Sequence, residues 1–119
     1  MKFIMFREQW IEPILHGQKV QTVRPPRKIP IVVGDALSLR IWTGLPYASK
    51  QKTLIDTHCT SVRDVEIDPG GIVVDGKRLR AEAEERFAAR DGFRDVLQML
   101  AFFKNMHGLP FKGVAISWD

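Results

Sequence analysis

The densest group of chemically capable side chains lies in Gly17-Gln18-Lys19-Val20-Gln21-Thr22-Val23-Arg24, where a lysine, a hydroxyl and an arginine fall within six residues. An arginine offers a planar fork for phosphate or carboxylate, and a lysine offers a point charge whose pKa falls when it is buried. A threonine hydroxyl donates and accepts hydrogen bonds, and becomes a nucleophile once a neighbouring base takes its proton. Such a set grips an anion or polarises a carbonyl. In an extended chain Thr22 and Arg24 face the same side. Lys19 joins them only if the backbone turns between residues 19 and 22.

Other residues extend this set. Arg27, Lys28 and Arg40 add positive charge, and Trp42 or Tyr47 supplies an aromatic face on which a base stacks. His16, His58 and His107 are scattered, and the single cysteine, Cys59, adjoins His58 where strand neighbours point oppositely. No metal-ligand spacing results, so neither a metal nor a cofactor is expected. Pro25-Pro26 reads as a stiffener of the loop after Arg24.

The elements that must position these groups follow from periodicity. Lys2–Phe6 reads as a first strand, apolar on both faces, and a short helix ends near His16 with Gly17 as its left-handed stop. Pro25, Pro26 and Pro30 mark an irregular segment. Gly34-Asp35 is a turn before a strand over Ala36–Thr43, and Gly44–Lys52 is a loop containing Pro46. Thr53–Ile67 is β-branched and reads as one bent strand. Asp68-Pro69-Gly70-Gly71 is a turn, and Asp75-Gly76 within Ile72–Leu79 signals a hairpin. Ala81–Arg90 is helix-forming. Phe93, Val96, Leu97, Leu100 and Phe103 form a second helical stripe with Asp95 in its first turn and Gly108 as its stop. Phe111–Trp118 is a last strand. This order of many strands and few helices predicts an α+β fold, a small barrel or curled sheet with helices packed on it.

With 119 residues, 45% hydrophobic and 27% charged, the chain fits one globular domain over residues 1–119. The lone cysteine excludes an intrachain disulfide and points to a reducing compartment. No apolar run is long enough for a transmembrane helix, and Arg7 and Glu8 interrupt the first apolar patch too early for a signal peptide. A cytoplasmic protein with no membrane partner is expected. The formal net charge of +4 favours polyanionic partners. No helix carries the Arg/Lys/Asn face of a groove reader, which favours single-stranded or loop RNA over duplex DNA.

Gly17-x-Lys19-x-x-Thr22-x-Arg24 resembles the G-x-K-x-x-T-x-R signature of the ASCH (activating-signal-cointegrator homology) family. Gly34-Asp35 before a strand, Asp91-Gly92-Phe93 leading into Val96–Phe103, and the final strand ending in Trp118 are similar to that family in the same order. The resemblance implies a PUA-like β-barrel with a short N-terminal helix, two later helices, and a cleft beside the signature. Members are generally expected to bind RNA, and some resemble small amidohydrolases acting on N4-acylcytidine-like nucleosides. In that pattern Lys19 and Thr22 match the catalytic lysine and threonine. The third member is a glutamate after the first late helix, where this chain has Asp91, shorter by one methylene.

Three readings follow. In the first, Lys19 and Arg24, with Arg40, Trp42 and Tyr47, hold RNA or a modified nucleoside. In the second, Thr22 attacks an amide carbonyl, Lys19 takes its proton, and Asp91 orients the lysine or protonates the leaving amine. In the third, Lys19 and Arg24 form ordinary ion pairs in a protein-interaction domain.

Overall fold

The computed structural model describes all 119 residues. It contains eight strands and three helices, which makes the fold α+β. Strand β1 (Lys2–Phe6) leads through a 3-10 turn into α1 (Ile11–Leu15), then β2 (Gln21–Arg24) and β3 (Ala36–Trp42). After these come β4 (Gln51–His58), β5 (Ser61–Asp68), β6 (Gly71–Val74) and β7 (Lys77–Arg78), then α2 (Ala81–Arg90), α3 (Val96–His107) and β8 (Phe111–Ser117).

The strands form two sheets, one ordered β1-β3-β4 and the other β2-β8-β5-β6-β7. β1 runs parallel to β3, and every other pairing is antiparallel. No ladder joins the two sheets, so the strands do not close into a single hydrogen-bonded barrel. The segment expected as one bent strand, Thr53–Ile67, divides at Cys59-Thr60 between the two sheets. The backbone of that junction bonds elsewhere: Cys59 N–H donates to the Asp35 carbonyl at 2.8 Å and Thr60 N–H to the Ser117 carbonyl at 2.9 Å. The chain therefore crosses from one sheet to the other there.

Local chemistry accounts for the remaining boundaries. Asp75 and Gly76 both have positive φ, 49° and 81°, the pair that a tight hairpin between β6 and β7 demands. The Asp95 carboxylate caps α3 by accepting from Gln98 N–H at 2.8 Å. Phe93 consequently reaches the core from the loop before α3, and Leu97 of the expected stripe is exposed. In β3, Leu37, Leu39 and Ile41 point into the core while Arg40 and Trp42 are half-buried on the opposite face. Twenty-three buried residues make one continuous core, including Trp10, Phe87, Met99, Phe103 and Trp118. No helix is long and apolar enough to cross a membrane.

Candidate functional site

The turn that would bring Lys19 beside Thr22 and Arg24 is present. After α1, the N–H groups of both Gln18 and Lys19 donate to the Pro13 carbonyl, at 2.8 and 2.9 Å, which curls the chain back on itself. Gly17, at φ 74°, sits in the left-handed region that this stop requires. Val20 N–H then donates to the Arg90 carbonyl at 2.9 Å, tying the segment to the end of α2. β2 follows, paired with β8 through Thr22 opposite Ile116 and Arg24 opposite Val114. Thr22 and Arg24 share a face, and Arg24 Nε donates to Thr22 Oγ1 at 3.0 Å.

Lys19 is 2% exposed. Its Nζ donates to the Asp91 main-chain carbonyl at 2.6 Å and lies 3.5 Å from Asp91 Oδ2. The ammonium also sits 4.3 Å from the Trp10 ring and 5.9 Å from the Phe6 ring, where their negative faces attract it. Burial lowers the Lys19 pKa to about 8; Asp91 opposes that shift and Arg24 reinforces it. Asp91 is equally buried, and burial raises its pKa against the pull of Lys19, Gln21 and Arg24. One carboxylate oxygen, Oδ1, accepts no hydrogen bond from the protein. Gln21 Oε1 is a second buried acceptor without a donor, and the Gln21 amide lies against the Asp91 carboxylate.

Arg24 completes the polar floor. Its Nη2 donates to the Met5 carbonyl at 2.7 Å, and its guanidinium lies 4.8 Å from the Phe6 ring. No carboxylate lies within ion-pair distance of it. Burial lowers its pKa to about 10, so it stays charged at neutral pH.

These groups open into one cleft of about 360 Å³. Lys19, Thr22, Arg24 and Asp91 line it together with Trp42 and Tyr47. The walls are aromatic: Trp42 and Tyr47 stand 5.2 Å apart at a 48° tilt, and Phe93, Phe102 and Phe103 also line the cleft. Tyr47 is 91% exposed with φ 60°, so its ring projects from the loop after β3. Small-ligand pockets run from about 300 to 1,000 Å³, and this cleft stands at the small end, apolar-walled with a few convergent polar groups.

Six of the seven residues singled out in the sequence therefore share this cleft; the exception is Arg40. Arg40 lies on the outer face of β3, where Nε donates to Ser38 Oγ at 2.8 Å and the guanidinium covers the Phe3 ring at 3.6 Å. Reading from sequence missed Met5, Trp10 and His107, which also line the cleft. Met5 and Trp10 carried apolar core patterns, and only the fold shows that part of each faces the ligand space. His107 closes α3 and stacks against Phe103 and Phe111. No group of three or more His, Cys, Asp or Glu side chains converges to hold a metal ion.

No protein-family model, curated protein or solved structure matches this chain.

Proposed function

We propose that this chain is an ASCH-type domain that holds the nucleobase of an RNA or of a modified nucleoside in the cleft. The observation that carries the reading is the convergence of the buried Lys19–Asp91 pair, Thr22 and Arg24 at the floor of an aromatic-walled cleft. The base stacks on Trp42 or Tyr47, whose rings stand together tilted by 48°. Its polar edge meets the Thr22 hydroxyl and the Arg24 guanidinium. The cleft sets the cations Lys19, Arg24 and Arg7 against one carboxylate, so a ligand phosphate is also favoured at its edge.

Amidohydrolysis of an N4-acylcytidine-like nucleoside is a second reading, favoured by the Lys19 pKa of about 8. A lysine poised there is a competent base near neutral pH. The Thr22 hydroxyl oxygen would add to the acyl carbonyl as Lys19 took its proton. The C–N bond would then break with that proton returned to the leaving amine, and water would hydrolyse the acyl-threonine. Despite its shorter side chain, Asp91 touches the lysine and would orient it. Against this, the Lys19 ammonium bonds the Asp91 carbonyl rather than Thr22, and the Thr22 oxygen accepts from Arg24. Catalysis thus needs a rearrangement that brings the lysine to the Thr22 hydroxyl. The protein-interaction reading is disfavoured because Lys19 is buried rather than in a surface ion pair.

Titration with N4-acetylcytidine, followed both by calorimetry and by deacylation, tests these readings. Binding without turnover, weakened in Thr22→Ala and Arg24→Ala, supports the first. Turnover that vanishes in both Lys19→Ala and Thr22→Ala supports the second. Failure of N4-acetylcytidine and of short RNA to bind, with both variants merely melting lower, refutes both.

A further inference from the structure

The cleft does not end at Trp42. Side chains alternate along a strand, and in-register neighbours share a face. Trp42, Arg40 and Ser38 of β3 therefore stand on the same face as Met5 and Phe3 of β1, their neighbours in the ladder. Gln51 and Thr53 of β4 stand there too, opposite Trp42 and Arg40. Met5 and Trp42 already line the cleft, so this outer face of the three-stranded sheet is a direct extension of it.

The face is aromatic and cationic. Phe3 is 42% exposed, although large apolar side chains on a strand are commonly buried. The Arg40 guanidinium carbon lies 3.6 Å from the Phe3 ring centroid, the separation of a flat stack, with Nε held by Ser38 Oγ and Nη1 by Gln51 Oε1 at 3.2 Å. These bonds fix the half-buried guanidinium against the ring. Arg27 sits at the adjoining free edge of β1, with Nη2 donating to the Phe3 carbonyl at 3.2 Å. Neither Arg27 nor Arg40 pairs with a carboxylate. Asp56, opposite Ser38, is the acid at the far end of this face. Along β3 the step from Trp42 to Arg40 is about 7 Å.

We infer that the outer face of β1-β3-β4 carries a single-stranded RNA segment onward from the base held in the cleft. Stacking on an aromatic ring or on an arginine plane, with unpaired cations for the phosphates, is the chemistry by which single strands are gripped without sequence readout. The next base stacks on the outer plane of Arg40, itself backed by Phe3, and Arg27 meets the backbone. The preferred ligand is thus an oligonucleotide, not a free nucleoside. This rests on the cleft reading for the first base only.

The test compares RNA hexanucleotides of each base with the corresponding nucleoside monophosphates, by calorimetry at two salt concentrations. Hexanucleotides should bind at least about tenfold more tightly than the monophosphates. Arg40→Ala should remove that gain and leave monophosphate binding unchanged. Arg40→Lys keeps the charge without the flat plane, so it should restore the salt dependence but only part of the affinity. Hexanucleotides no tighter than monophosphates, or a gain untouched by Arg40→Ala, would overturn the inference while leaving the cleft reading intact. The converse result, hexanucleotide binding sensitive to Arg40→Ala but indifferent to Thr22→Ala and Arg24→Ala, would uphold the sheet face and remove the cleft. No binding of either probe overturns both.

Discussion

Lys19 Nζ and the main chain of Asp91 meet at 2.6 Å across 72 residues of sequence, and the Asp91 carboxylate lies 3.5 Å from the same ammonium. The lysine enters from the turn after α1 and the aspartate from the cap of α2. Each is expensive to bury alone, and each makes the other tolerable. This pair is the floor of the cleft, so its energetics and its chemistry are inseparable.

Removing one partner strands the other charge in the core. Lys19→Met and Asp91→Leu are each expected to destabilise the fold by about 3–5 kcal/mol, and the double variant by less than the sum of the two. Denaturant unfolding of the four proteins measures the coupling. Additive losses would mean that the two groups do not sense each other.

The pair also sets a pH dependence. An unfolded lysine keeps its proton to about 10.5, whereas Lys19 in the fold releases it near 8 because burial disfavours the ammonium. Between these values the unfolded state binds more protons, so the Lys19 contribution to stability rises with pH from about 8 to 10.5 and is flat below 8. The difference in unfolding free energy between the native chain and Lys19→Met should show that rise. A Lys19 side-chain resonance titrating near 10.5 would refute it.

Gly92 holds the aromatic side of the lysine's cage. Its φ is 90°, and a Cβ there would stand 2.8 Å from Trp10 Cζ3 and 3.2 Å from Lys19 Cβ. Gly92→Ala should cost about 1–3 kcal/mol from backbone strain alone, with a further loss as Trp10 is displaced. Calorimetric melting measures the loss, and reduced ligand affinity should accompany it.

The exposed rim should behave in the opposite way. Tyr47 is 91% exposed, so Tyr47→Ala should leave the melting temperature essentially unchanged. If a base stacks on it, affinity should fall by about 1–3 kcal/mol. Unaltered affinity in both Tyr47→Ala and Trp42→Ala would remove the stacking platform from the binding proposal.

Much of the architecture was legible in residue order. The stops at Gly17 and Gly108, the Asp75-Gly76 hairpin, and the helix over Ala81–Arg90 follow from local backbone preferences that need no distant partner. The site was partly legible. Lys19, Thr22 and Arg24 stood out because three such groups crowd six residues, and Asp91 came only through resemblance to a family pattern.

What the chain alone determined is which residues carry charge, hydroxyl and ring, and where the backbone must turn. The tertiary structure decided which of them meet. The pairing of Lys19 with Asp91, the caging by Trp10, the separation of β4 from β5 into different sheets and the placing of Arg40 outside the cleft all depend on contacts between segments far apart in sequence. Local periodicity reports which face a residue occupies on its own element. It does not report what that face will meet, because that is settled by how the two sheets and three helices share one core.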